Sequence, residues 1–271
     1  VLTSRTILSR DGITISDVQC RHRRGRGEVE HYTGQDTLVF VRRGCFTRTV
    51  AGEHAVLEPS VLYTMSAGDE QRCDHPHEGG DDCTTIGVDD SALGALEVAD
   101  TGLPSGVIAS SPAIDLEHRL LLAAARRGED RHEVFERATR LLADALAAPG
   151  RTGPPAQRSR LAARHRLLAD QARESLACDP HRSLPELAAE LAVSPFHLSR
   201  TFRSVTGHTL ARHRIRVRVR AALERLADGE RDLARLSADC GFADQSHLCR
   251  AVRSESGGLT PSELRGALLL R

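Results

Sequence analysis

Two stretches about fifty residues apart place similar side chains in similar order, Leu184 to Arg200 and Leu233 to Arg250. On a helical wheel the second part of the first stretch turns Leu198, Phe202 and Val205 to one side and Phe196, Ser199, Arg200 and Arg203 to the other. The second stretch turns Leu248 and Val252 inward and Ser246, Cys249, Arg250 and Arg253 outward, with Gln245 and His247 near its start. The chemistry offered is contact with a nucleic-acid groove. Arg can donate two hydrogen bonds to guanine O6 and N7, small side chains allow close approach, and an outer Arg can hold a phosphate.

A second group of residues could bind a soft metal ion or react as thiols. Cys73, His75 and His77 alternate, so a strand would put them on one face, and closure of a β-barrel could bring Cys20, Cys45 and Cys83 near. His22 and His31 lie close in sequence to Cys20 and to Glu28. Thiolates with imidazoles suit zinc, copper(I) or another thiophilic metal, or an electrophilic or oxidising signal. The spacing is not that of a zinc finger.

Composition separates these two groups. All 37 basic residues are Arg, and the formal charge of zero is a sum of opposites. Up to Gly150 there are 16 Arg against 24 acidic residues, and beyond it 21 against 13. The basic half points to a polyanion, the acidic half does not. Seven cysteines, an odd number without framework spacing, predict reduced thiols. The first residues form no apolar run of signal-peptide length and nothing approaches the roughly 18 apolar residues of a membrane span. A cytoplasmic protein with no membrane partner is expected.

The elements that must position these residues follow from periodicity. From Ile7 to about Val88 short, often alternating apolar runs are punctuated by Gly12, Gly34, Gly44, Gly52 and Gly68, which predicts a small barrel or sandwich. From Asp115 to Ala147 three- and four-residue steps of Leu, Val and Ala predict a helical hairpin. Residues 148–160 hold Pro, Gly and polar residues without apolar period and read as a linker. After Ser159 everything reads as helix. Ser183 with Glu186 and Thr260 with Glu263 form capping boxes, Ser194 and Asp244 are further N-caps, and Gly207 and Gly257 end the helices that follow. Ile215 to Arg220 alternates like a strand but continues a helical stripe. A helix is expected there, with an Arg-rich outer face near phosphates or in solvent.

Three motifs then carry a resemblance. Ser194-Pro-Phe-His-Leu-Ser-Arg-Thr-Phe-Arg203, Gly241-Phe-Ala-Asp-Gln-Ser-His247 and Thr260-Pro-Ser-Glu-Leu-Arg265 resemble the most characteristic stretches of the DNA-binding domain of AraC/XylS transcription regulators, over residues 163 to 265. The resemblance implies two helix-turn-helix subdomains joined by a long helix, reading successive major-groove faces about 34 Å apart. It places base contacts on Phe196, Ser199 and Arg200, and on Gln245, Ser246, Cys249 and Arg250. Where the family has aromatic residues, this chain has Val252 and Ser256, and Gly257-Gly258 adds a residue before Leu259. A less firmly packed second subdomain is expected.

The stretch from Gly68 to Thr84, with His75-Pro-His and Gly79-Gly-Asp-Asp-Cys-Thr84, resembles a subset of these regulators. The resemblance implies an α+β protein: a cupin-like β-barrel sensor over 1–110, a helical dimerisation hairpin over 111–148, a linker over 149–160 and an all-α double helix-turn-helix domain over 161–271. Double-stranded DNA, RNA polymerase, a small-molecule or metal effector and a second copy of the chain are the implied partners, and activation the implied sign. A metal-dependent cupin enzyme needs a facial His/carboxylate site, and an alkyl-accepting repair protein needs paired zinc-binding cysteines beside the acceptor. Neither pattern is evident, so no enzymatic activity is expected.

Overall fold

The computed structural model describes residues 2–21, 24–95, 103, 106–147 and 160–269. The N-terminal half builds β1 (Leu2–Arg10), β2 (Ile13–Cys20), β3 (Val29–His31), β4 (Asp36–Arg43), β5 (Phe46–Val50), β6 (Glu53–Leu57), β7 (Val61–Met65), β8 (Glu70–Asp74), β9 (Asp81–Val88), α1 (Asp90–Ala95) and β10 (Val107–Ala109). Two of its hairpins turn on residue pairs with positive φ, Asp11-Gly12 between β1 and β2 and Ala51-Gly52 between β5 and β6. Such turns match the twist of the paired strands.

The strands form two open antiparallel sheets, ordered β1-β2-β9-β4-β7-β10 and β3-β8-β5-β6. Neither closes on itself, which corrects the expected cupin-like barrel. The physical reason is visible along β4. Val39 and Val41 pack toward the second sheet, with Phe46, Leu57, Tyr63 and Cys83. Leu38 and Phe40 face the other way, with Leu62, Ile86 and Ile108, under helices. Both faces of the larger sheet are therefore covered, giving sheet, sheet and helix layers, where a small barrel would bury its interior alone.

The covering helices are α2 (Pro112–Arg127) and α3 (Arg131–Ala147), the predicted hairpin. Ser111 caps α2, accepting from Ile114 N at 3.2 Å, and Gly128 ends it in the left-handed region at φ 71°. Leu121 and Ala124 of α2 and Val134, Ala138 and Leu141 of α3 seal the sheet. The expected linker lies outside the described residues, except for Arg160 at the start of the next helix.

The C-terminal half is helical throughout: α4 (Arg160–Cys178), α5 (Leu184–Glu190), α6 (Pro195–Thr206), α7 (Leu210–Ala227), α8 (Leu233–Asp239), α9 (Gln245–Glu255) and α10 (Pro261–Leu268). It has two cores. Leu168, Ala172, Leu176, Leu187, Leu198 and Phe202 join α4, α5 and α6. Leu223, Leu236, Phe242, Leu248, Val252 and Leu264 join α7 to α10, and Leu116, Leu120 and Ala123 of α2 pack on this second core. One stripe of α2 thus serves the sheet and another the C-terminal half.

The ambiguous stretch Ile215 to Arg220 is helical, but its arginines meet neither open solvent nor a free surface. Arg218 donates to Pro180 O at 2.8 Å and to Gly241 O, Arg220 to Ser110 O at 3.1 Å, and Arg216 to Glu255 at 3.2 Å. These side chains tie helices together. Among the described residues no helix is long and apolar enough to cross a membrane.

Candidate nucleic-acid interface and buried ligand cluster

The two helical pairs repeat one local design. After α5 the chain turns through Ala192 at φ 54°, and after α8 through Gly241 at φ 76°. Val193 N then donates to Ala188 O at 2.9 Å, and Phe242 N to Ser237 O at 2.8 Å. The following helices are capped alike: Ser194 Oγ accepts from His197 N at 3.2 Å, and Asp244 Oδ1 from His247 N at 2.6 Å. Both capping boxes form, with Ser183 N and Thr260 N donating to Glu186 and Glu263 at 2.8 and 2.7 Å. Those backbone and hydroxyl hydrogen bonds hold both glutamates below the usual carboxylate range. The left-handed position of the first turn was hidden in the sequence, because it is filled by Ala rather than Gly.

These turns present α6 and α9 outward. Leu198 and Phe202 are buried as predicted, whereas Val205 is exposed. Phe196 stands 75% exposed, with Arg200 and Arg203 exposed beside it and Ser199 half-buried. On α9, Gln245, Ser246, Arg250 and Arg253 are exposed and Cys249 is half-buried. His247 turns back: its Nδ1 accepts from Ala243 N at 3.4 Å and its ring meets Phe242 edge to face at 5.3 Å. Gly207 ends α6 at φ 77°, while α9 ends one residue before Gly257, on Ser256. Ser256 is buried and its hydroxyl donates to Val252 O at 2.6 Å, so the missing aromatic is replaced by a satisfied polar contact.

The arginines of the C-terminal half differ in their partners, and Arg164, Arg214, Arg218, Arg231 and Arg265 join those of α6 and α9 in forming no ion pair among the described residues. Arg173, Arg182, Arg212, Arg216, Arg220, Arg225 and Arg235 sit within 4 Å of carboxylates. Among the described residues Arg200, Arg203, Arg250 and Arg253 form no ion pair that short, and all four lie on α6 and α9.

In the N-terminal half, part of the predicted thiol and imidazole set comes together. Cys20 at the end of β2, His75 just after β8 and Asp81 at the start of β9 are buried, with their ligand atoms within 4.8 Å of one another. Cys20 Sγ lies 3.6 Å from His75 Nε2, which lies 2.9 Å from Asp81 Oδ1. The Cys83 thiol donates to Asp81 Oδ2 at 3.2 Å, and Phe46 stacks on the His75 ring. Gly80, at φ 71°, lets the chain pass against Cys20, since a Cβ there would stand 1.7 Å from the Cys20 carbonyl oxygen. Asp81 was missed in the sequence; Gly79-Gly80 before it was the available signal.

This group can hold a metal ion. Tetrahedral zinc, with bonds of about 2.3 Å to sulfur and 2.0 Å to nitrogen, puts those ligands about 3.5 Å apart, which the Cys20 to His75 separation matches. Without metal, a proton on His75 Nε2 fits the contact with Asp81, and binding would displace it. Burial pushes the Cys73 thiol up to about 12 and Cys83 up as well, so neither is a ready nucleophile.

The remaining predicted ligands go elsewhere. His77 lies in the turn after β8 and meets Glu174 of α4 at 3.5 Å. His31 is exposed, 4.0 Å from Glu70. Cys45 is buried beside Cys178 of α4. His22 lies outside the described residues.

Residues 187–267 match a helix-turn-helix domain. The match begins inside α5 and ends inside α10, so both turns of the helix-turn-helix domain fall within it. No curated protein matches the chain. Among solved structures, ToxT from Vibrio cholerae O395 is similar at 11% identity and TM-score 0.39, over 96% of this chain and 99% of that one. A DNA-binding transcriptional dual regulator from Escherichia coli K-12 is similar at 20% identity and TM-score 0.34, over 36% and 95%. A cupin superfamily protein from Desulfitobacterium hafniense is similar at 21% identity and TM-score 0.28, over 33% and 79%.

Proposed function

We propose that this chain is a sequence-specific DNA-binding transcription regulator of AraC/XylS type, acting by binding rather than by catalysis. The supporting observation is the repeated presentation of α6 and α9, each with two exposed arginines that form no ion pair among the described residues. Arg200 and Arg250 read base edges, with Phe196, Ser199, Gln245, Ser246 and Cys249 beside them, while Arg203 and Arg253 hold phosphates.

Residues 1–110 form the sensor, 111–148 the helical element between the halves, 149–160 a linker and 161–271 the DNA-binding unit. Because α2 is covered on both sides, α3 is the face left for a second copy of the chain. Contact with RNA polymerase and activation follow from the family resemblance.

For the signal, the Cys20, His75 and Asp81 group favours a thiophilic metal such as zinc over an organic effector. The ion would join β2, the turn after β8 and β9, close to the loop that carries Cys45.

Selection of randomised duplex DNA by the purified full-length protein tests the reading. The expected product is a motif in two parts, one helical turn apart. Retention of duplex DNA without sequence enrichment would sink it.

A further inference from the structure

Where α2 covers the larger sheet, Arg42 Nε, Thr84 Oγ1, His118 Nε2 and Arg126 Nε are buried and have no hydrogen-bond partner among the described residues. Strand register brings their residues together. Thr84 of β9 pairs with Asp17 of β2 on one side and with Phe40 of β4 on the other, so the three side chains share a face. Both guanidiniums bind one carboxylate: Arg42 Nη2 donates to Asp17 Oδ1, and Arg126 Nη2 of α2 to Asp17 Oδ2 at 2.7 Å. The His118 ring, also on α2, stacks on Phe40 with 4.3 Å between centroids. The Cys20, His75 and Asp81 group belongs to the opposite face, since Asp81 and Thr84 lie an odd number of residues apart on β9.

Buried polar atoms without partners are costly, and the chemistry of these four says what is missing. A guanidinium N–H can only donate. Two guanidiniums share one carboxylate, which leaves an excess of positive charge, and Arg5, 3.9 Å from Asp17, adds to it. Burial holds the His118 imidazole well below its usual range, with Arg119, Arg42 and Arg126 acting the same way and Asp115 opposing. A water molecule would satisfy some of the donors without offsetting the second guanidinium.

We propose that Arg42, Thr84, His118 and Arg126 hold a small, planar, singly charged oxyanion, a carboxylate or an inorganic ion such as nitrate or bicarbonate, between the sheet and α2. Its oxygens accept from donors on two strands and one helix. Thr84 and His118 are 0% and 2% exposed, which restricts the ligand to a few atoms. The open end lies at Arg126 and Asp17, whose side chains are 19% and 12% exposed.

The ion meets α2 on its sheet side, while Leu116, Leu120 and Ala123 of the same helix pack on the second helical core. Occupancy is therefore felt by the element that joins the two halves. The inference rests on neither DNA nor metal binding, and its test uses neither.

The full-length protein is titrated calorimetrically with sodium formate, acetate, nitrate, bicarbonate, phosphate and sulfate, each against sodium chloride at equal ionic strength, and its thermal midpoint is followed in parallel. The expected result is saturable binding of at least one planar oxyanion with a rise in the midpoint, and no such effect of chloride. Binding of formate and acetate alone assigns a carboxylate, and binding of nitrate and bicarbonate alone an inorganic ion. Affinity should fall about tenfold or more in T84V, in H118F, which keeps a ring on Phe40, and in R126M. R126M, at the open end, keeps the test valid if the two buried variants fail to fold. Equal midpoints in all the salts would overturn the proposal and leave the donors to water. So would binding confined to phosphate or sulfate, or an unchanged affinity in folded R126M.

Discussion

Arg119 of α2 donates from Nη1 to Glu224 Oε1 of α7, with both side chains buried. The same guanidinium donates from Nε to Asp115 at 3.1 Å, Arg220 of α7 lies 3.5 Å from Asp115, and Arg43 of β4 lies 3.3 Å from Glu224. Burial disfavours charge on Arg119, but the two carboxylates outweigh it and raise its pKa. Charges from the two halves thus neutralise each other where water is excluded.

Removing one member of this network should be costly. R119A leaves Asp115 and Glu224 without a main partner, and a loss of about 3–5 kcal/mol is expected from urea denaturation. R5A, whose exposed side chain lies 3.9 Å from Asp17, should change stability by less than about 1 kcal/mol. Equal effects would show that burial of the Arg119 network carries no stability.

The contact of α4 and α7 with the sheet should be sensitive to acid. Burial opposes ionisation of Glu58, but Arg173, His213 and Ser60 together hold its carboxyl at about 2. Burial pushes His213 down to about 3, with Glu58 opposing and Arg173 reinforcing. Both folded values lie below the usual ones. As pH falls from 6.5 toward 3 the unfolded chain takes up a His213 proton that the folded chain refuses, and below 4.5 the same holds for Glu58. Stability should be full above about pH 6.5 and lower by roughly 3 kcal/mol at pH 4. In H213Q the urea midpoint should be flatter between pH 6.5 and 4.5; an unchanged slope would remove His213 from the account.

On α6 and α9, R200A and R250A should each relax base preference at one position of a half-site, by about 1–3 kcal/mol. R203A should weaken binding evenly across sequences and reduce the salt slope by about one. F196A should lower affinity without lowering thermal stability, since the ring is exposed. Unchanged footprints in both R200A and R250A would refute the assignment.

Zinc retained after dialysis should be lost in C20S, H75A and D81N, and kept in H31A and C249S. Elemental analysis with a competing chromophoric chelator reads both outcomes. Retention in all three cluster variants would remove the site.

Much of the C-terminal half was legible in the sequence because its signals are local. Ser183, Ser194, Asp244 and Thr260 cap helices through residues three positions away, and Leu198, Phe202, Leu248 and Val252 mark inward faces through a period that any helix must obey. Val205 broke that pattern because the wheel gives direction but not the reach of the neighbouring helix.

The N-terminal half was less legible. Alternation in β4 marks two faces without saying what covers either, and the partner strands β9 and β7 come from distant parts of the chain. A barrel and two layered sheets share that alternation, and only the packing of α2 and α3 on one face separated them. In the same way Cys20, His75 and Asp81 met through pairing of strands far apart, while His77 and Cys45 turned to α4.

By itself, the sequence determined which segments are helix or strand, where the helices begin, and that two arginine-bearing helices repeat one design, because capping and periodicity act within a few residues. Tertiary structure alone decided that the arginines of α7 bind the chain itself while those of α6 and α9 remain outward. It also decided which cysteines gained a histidine, a carboxylate or another thiol. Those outcomes depend on charges and thiols brought together across long loops, and burial then sets whether each is paired or left for a ligand.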